Sequence, residues 1–233
     1  MTVFLALAFV VVLGVLIIRW QRQVALQRLE YIRSFELPRG LFERLRKRRP
    51  ELALKDCQLA AHALRHFFLA YAMSGRKFVS MPSQVVDDLW HEFILYTRNY
   101  ELFCRKAFGC FLHHTPAVAL GSDRLANAGL RRCWWYVCRE EHIDPRHPTR
   151  LPLLFAIDAK LNIKDGFRYV PDCGSVRRES KDGASGPVHC GSDFNSSSVD
   201  GSTDGFGDSA SAEAGDSGGG DGDGCGGGGC GGD

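Results

Sequence analysis

Met1–Ile18 carries no charged side chain and is built almost wholly from Val, Leu, Ile, Phe and Ala. No other feature limits the fold as severely. A run this long and this apolar is stable in lipid only as a helix, which satisfies its own backbone groups where no water can. Its 18 residues span roughly 27 Å, the short end for a bilayer core of about 30 Å. Trp20 at the interface and the snorkelling side chains of Arg19 and Arg22 extend that reach. A cleaved secretory signal needs a basic region before the apolar run and small residues after it. Here Arg19-Trp20-Gln21-Arg22 follows directly, so residues 1–19 are expected to be a retained, single-pass anchor.

The flanking charge sets the expected orientation. Between Arg19 and Arg49 there are ten Lys and Arg against three Glu, while only the α-amino group precedes the apolar run. The positive-inside bias places the N-terminus outside and the C-terminal side in the cytoplasm, for a protein of the inner (cytoplasmic) membrane. Arg19, Arg22 and the cluster Arg46, Lys47, Arg48 and Arg49 are expected to meet an anionic leaflet. Nucleic acid is the rival partner for such a cluster, but its closeness to the anchor favours lipid.

Everything after the anchor reads as helical. Trp20–Phe35 continues the anchor or forms a juxtamembrane helix, ended by Pro38-Arg39-Gly40. Leu41–Arg49 is a short helix stopped by Pro50, and together these form basic juxtamembrane helices over residues 20–50. From Leu54 to Met73 apolar residues recur at i, i+3 and i+4, with Gly75 as the stop. Ser83–Ala107 reads as one long helix whose stripe includes Val86, Leu89, Trp90, Phe93, Tyr100, Phe103 and Cys104, with Gly109 just beyond. Further helices are expected over Arg124–Glu141 and from an N-cap at Thr149 through Leu161. Phe167–Val170 alone suggests a strand. The expected class is all-α, a small helical bundle over residues 51–172.

Residues 173–233 differ in kind. From Asp182 to Asp233 there are ten acidic residues, eighteen glycines and no Lys or Arg, so the net charge of +2 conceals about +12 on residues 1–181. With almost no large apolar side chains this stretch cannot offset its ordering entropy, and it is expected to be a disordered acidic tail. The nine cysteines form no dense framework, and four lie in predicted helices. They suggest reduced thiols in an intracellular domain. Cys225 and Cys230, four glycines apart, read as part of a flexible polar end.

The block from Asp87 to His114 carries the only candidate chemistry. Asp87 and His91 stand four apart on one helical flank, where a carboxylate can orient an imidazole for metal ligation or base catalysis. Arg98 and Arg105 continue that flank, and a reversal at Gly109 would return His113 or His114 toward the helix. His62 and His66 make a second i, i+4 pair, with no acidic partner nearer than Asp56. Phosphate loops, nucleophile elbows and Cys-x-x-Cys pairs are lacking, which argues against nucleotide cofactors and serine hydrolysis.

The residues Asp87-x-x-Trp90-His91, Tyr100, Cys104, Gly109 and His114 resemble the conserved block of the glycine-rich domain-containing protein family, known from plants and with bacterial relatives. Phe93 stands where that family carries a second histidine. The resemblance implies a site at the block without implying a reaction. A zinc or iron centre would draw on His91, His114 or His113, Asp87 and Cys104. Trp90, Tyr100 and Cys104 lie on the apolar stripe and serve equally as core. The leading expectation is a non-enzymatic, membrane-tethered module that binds a protein partner through Trp90, Arg98 and Tyr100, with no nucleic acid. The alternative is a metal-dependent enzyme or sensor.

Overall fold

The computed structural model describes residues 2–114, 123–171 and 188–190. Among the described residues the chain is all-α, with seven helices and one pair of three-residue strands.

Helix α1 (Thr2–Ser34) joins the apolar N-terminal run and the first element of the domain in one piece. Its 33 residues run about 50 Å, some 20 Å more than a bilayer core takes up. The upper part is exposed all round, Phe4, Leu7, Phe9 and Trp20 included, as suits a lipid-facing surface and no aqueous one. It is long and apolar enough to cross a membrane, with a mean hydropathy of 2.3 and no burial against the domain. The lower part changes character. Ile32 is fully buried, and Leu29, Tyr31 and Phe35 pack against the core.

Helix α2 (Gly40–Arg48) follows the Pro38 break and buries Leu41 and Leu45. Helix α3 (Leu54–Met73) is the central element, packed by α1, α2 and the helices that follow. It is accordingly apolar over most of its circumference, and its first turn is closed by the Asp56 carboxylate accepting the Ala53 N–H at 2.8 Å.

The long helix expected over Ser83–Ala107 is two: α4 (Gln84–Ile94) and α5 (Thr97–Ala107), broken at Leu95 and Tyr96. A single straight rod of 25 residues would be about 37 Å long and could face only one neighbour. The break lets α4 pack on α2 and α3 while α5 turns back onto α1. Phe35, Phe68, Phe93 and Phe103 then meet in one aromatic cluster, with Phe35 and Phe103 centroids 4.5 Å apart and Phe68 and Phe103 4.8 Å apart.

Helix α6 (Asp123–Glu140) carries the buried Cys133, Trp134 and Cys138 against α3. Helix α7 (Leu153–Lys160) begins later than Thr149 because Pro152 disfavours helical geometry at the residue before it. Its N-terminus is capped by the Glu141 carboxylate, which accepts the Leu153 N–H at 2.6 Å. Strand β1 (Arg168–Val170) pairs in parallel with β2 (Val188–Cys190), Tyr169 opposite His189. Thus three residues of the stretch expected to be disordered are ordered against the domain; the rest of that tail, Cys225 and Cys230 included, lies outside the described residues.

The buried Asp158 ties the two ends of the bundle together. Its carboxylate accepts the Ser83 hydroxyl at 2.7 Å and the backbone N–H groups of Gln84, Val85 and Phe167 at 2.7, 3.2 and 3.0 Å.

Candidate metal centre

Ser83 caps α4, accepting the Val86 N–H at 3.3 Å, and so sets the helical phase that places Asp87 and His91 on one flank. The Asp87 carboxylate is flanked by two imidazoles. One oxygen lies 3.2 Å from His91 Nδ1 and the other 3.0 Å from His114 Nε2. The two rings are 4.2 Å apart between centroids. One ligand atom from each of Asp87, His91 and His114 lies within 4.8 Å of the other two, the only such set of three among the described residues. His91 Nδ1–H also donates to the Asp87 carbonyl at 2.8 Å, which orients the ring from the backbone and leaves Nε2 its lone pair.

The return of His114 is built from the other residues of the block. Gly109 ends α5 in the left-handed region, φ +76°, its N–H bonded back to the carbonyls of Cys104 and Arg105. From there residues 111–114 run extended over α4 and α5. Tyr100 donates its hydroxyl to the Leu112 carbonyl at 2.6 Å and receives the Trp90 indole N–H at 3.2 Å. Leu112 is thereby turned inward, and the alternation of an extended chain sends His113 outward beside Phe111 and His114 inward. His114 comes to rest against the Trp90 ring, with centroids 4.6 Å apart.

A family model described as UCP032817-like matches residues 27–194. The chain belongs to the UCP032817-like family. The matched stretch takes in the lower part of α1, the whole bundle, β2 and all three residues of the Asp87 cluster. No curated protein and no solved structure matches the chain.

Several expected site residues of this family member have other work. Cys104 is outside the ligand cluster. It is wholly buried beside Tyr100 and Leu112, and burial pushes its thiol up to about 11. His113 is outside the cluster for the alternation just given. Trp90 and Tyr100 are buried and present nothing to a partner; burial raises the Tyr100 phenol far above its ordinary range, fixing it as a donor. Arg98 is exposed, but the α4–α5 break takes it and Arg105 off the flank of His91, and Arg105 pairs with Glu101 at 2.7 Å.

The basic run is also largely engaged within the domain. Arg49 bonds Asp88 at 2.8 Å and Asp165 at 2.5 and 2.7 Å, and Arg48 reaches Asp88 at 3.2 Å. Arg46 donates to the Leu52 carbonyl, leaving Lys47 at the surface. Asp88 is 2% exposed and needs these cations, since a buried carboxylate without partners is costly. Arg19 and Arg22 remain exposed on α1. The rings of His62 and His66 are 4.5 Å apart, but His66 Nδ1 faces Glu141 at 3.2 Å and His62 faces Arg65. Burial, with the neighbouring His66 and Arg65, disfavours protonation of His62.

Proposed function

We propose that this chain is a membrane-anchored helical domain that holds one divalent transition-metal ion, zinc or iron(II), on Asp87, His91 and His114. The observation that carries the reading is the mutual reach of the three ligand atoms, all within 4.8 Å. Two donors each about 2.1 Å from one ion lie about 3.0–3.4 Å apart, for octahedral or tetrahedral angles. The Asp87–His114 separation of 3.0 Å already has that size, and the His91 ring beside it keeps its Nε2 lone pair. Two histidines and one carboxylate suit zinc with an open fourth position, or iron(II) with a face left open. Three protein ligands on a partly exposed surface leave room for water or a small ligand, which favours an enzyme or sensor over a closed structural site. The likeness of this block to glycine-rich domain-containing proteins falls on the same residues.

Metal analysis of the full-length chain, purified in detergent and loaded with zinc or iron(II), tests this. About one ion per chain is expected, falling to background in His91→Ala and His114→Ala and unchanged in Cys104→Ser. Metal-free wild type that still takes up no ion from micromolar solution would end the proposal. A scaffolding role would have to use Arg98 with the exposed Leu95, Leu102 and Phe111, since Trp90 and Tyr100 are internal.

The same proposal sets the domain on the cytoplasmic side of the inner membrane, from the excess of Arg that follows the span. An active periplasmic reporter fused at Asp233 would overturn that orientation.

A further inference from the structure

We propose that the cavity between α1, α3, α5 and α6 is a headgroup site for an anionic phospholipid, with Arg28, Arg76 and Arg139 taking the phosphate. The cavity holds about 590 Å³ and has an apolar floor that includes Leu29, Met73 and Phe108. Its wall on α1 begins at Ala25, five residues past Trp20, or about 8 Å along the helix axis. A headgroup layer is about 5–8 Å deep on each side of the hydrocarbon, so the α1 wall of the cavity starts where lipid headgroups would end. Arg22, one turn above Ala25 on the same face, continues the cationic row toward the bilayer.

The charge is uncompensated. Arg28 and Arg76 both donate to the Phe108 carbonyl, at 3.0 and 3.4 Å, so two guanidinium groups converge on a single neutral oxygen. One cation is enough to complement the end of α5, and two like charges at one oxygen repel unless an anion joins them. Among the described residues no carboxylate pairs with Arg28, Arg76 or Arg139, and Glu140, which also lines the cavity, is held by Arg33 at 2.7 and 2.8 Å. Arg76 moreover holds a left-handed backbone, φ 65°, immediately after Gly75 at φ +72°. That conformation is unfavourable for arginine and is where a functional constraint is expected. Planar guanidinium forks match phosphate oxygens, and two or three of them around one anion make a specific site where scattered surface cations do not.

The inference rests on α1 crossing the membrane, so the same preparation is first extracted with alkaline carbonate, which scores the anchor by itself. Full-length protein is then reconstituted in nanodiscs of phosphatidylcholine containing a minor fraction of phosphatidylglycerol. Lipid retained per chain is read by native mass spectrometry. One phosphatidylglycerol per chain is expected to persist. Retention should fall about fivefold for each guanidinium removed in Arg28→Gln and Arg76→Gln. Arg139→Gln, at a side chain with no hydrogen bond or ion pair among the described residues, should lose lipid without losing thermal stability. Lys55→Gln, an equal change of charge on an exposed residue elsewhere, should lose neither. Equal retention of phosphatidylcholine would overturn the proposal, as would phosphatidylglycerol retention indifferent to Arg139→Gln. Millimolar inorganic phosphate that stabilises the wild type in pure phosphatidylcholine discs and displaces the bound lipid would assign the site to a soluble phosphate instead.

Discussion

Replacing Gly109 by alanine tests how the fold delivers His114 to Asp87. Two costs arise there and can be separated. Gly109 has φ +76°, and an L-residue held in that region costs about 1–2 kcal/mol. A Cβ would also sit 2.6 Å from Arg28 Nη2 and 3.1 Å from its Cζ, so the guanidinium must move and give up its 3.0 Å bond to the Phe108 carbonyl. A partly exposed, charge-assisted bond of that kind contributes about 1 kcal/mol. Gly75 supplies the control: its φ is +72°, yet a Cβ there meets nothing within 4 Å. Gly75→Ala should therefore cost about 1–2 kcal/mol and Gly109→Ala about 2–3. For a chain of this size those correspond to Tm losses of about 2–8 °C and 4–12 °C. Thermal unfolding of the detergent-solubilised full chain, followed by tryptophan fluorescence, reads both. Gly109→Ala should in addition weaken metal uptake, because the turn aims residues 111–114; Gly75→Ala should not. Equal Tm losses in the two variants would refute the part assigned to Arg28. Unaltered metal uptake in Gly109→Ala would refute the coupling of the turn to the site.

Asp158→Ala leaves three backbone N–H groups and the Ser83 hydroxyl without their shared acceptor, and should cost about 3–5 kcal/mol in the same unfolding assay. A loss below about 1 kcal/mol would mean the carboxylate is dispensable. Glu140 predicts a pH effect. The Arg33 guanidinium bonded to it holds its carboxyl below the ordinary value, so the pair stabilises the folded state above pH 4–5 and that contribution is lost as pH falls through the lowered value. The Tm gap between wild type and Glu140→Gln should thus close as the pH is lowered below the ordinary carboxylate value; a gap that widens on acidification has the wrong sign for this pairing.

Much of this architecture is legible in the residues themselves, and the part that is not has a common cause. The apolar part of α1 needs no tertiary context, because an uncharged apolar run such as Met1–Ile18 would have one stable solution in lipid, a helix. Helices α2 and α3 announce themselves by apolar period and by Pro38, Pro50 and Gly75 at their ends, all local effects on φ and on backbone hydrogen bonding. The same local chemistry makes Gly109 the place where the chain turns back. The break at Leu95 and Tyr96 carries no glycine or proline, and follows from α4 and α5 having different neighbours. Periodicity puts Trp90 and Tyr100 on an apolar stripe but cannot say whether that stripe meets the core or a partner; the packing of Phe67, Phe68 and Phe93 around them does. Likewise the spacing of Arg48 and Arg49 is silent about Asp88 and Asp165, 39 to 116 residues further along the chain. Composition and local spacing therefore determine the helices, the apolar N-terminal run and the Asp87–His91 pair. The choice of His114 over His113, and with it the cluster of Asp87, His91 and His114, belongs to the tertiary structure, where the Tyr100 hydroxyl holds the Leu112 carbonyl in place.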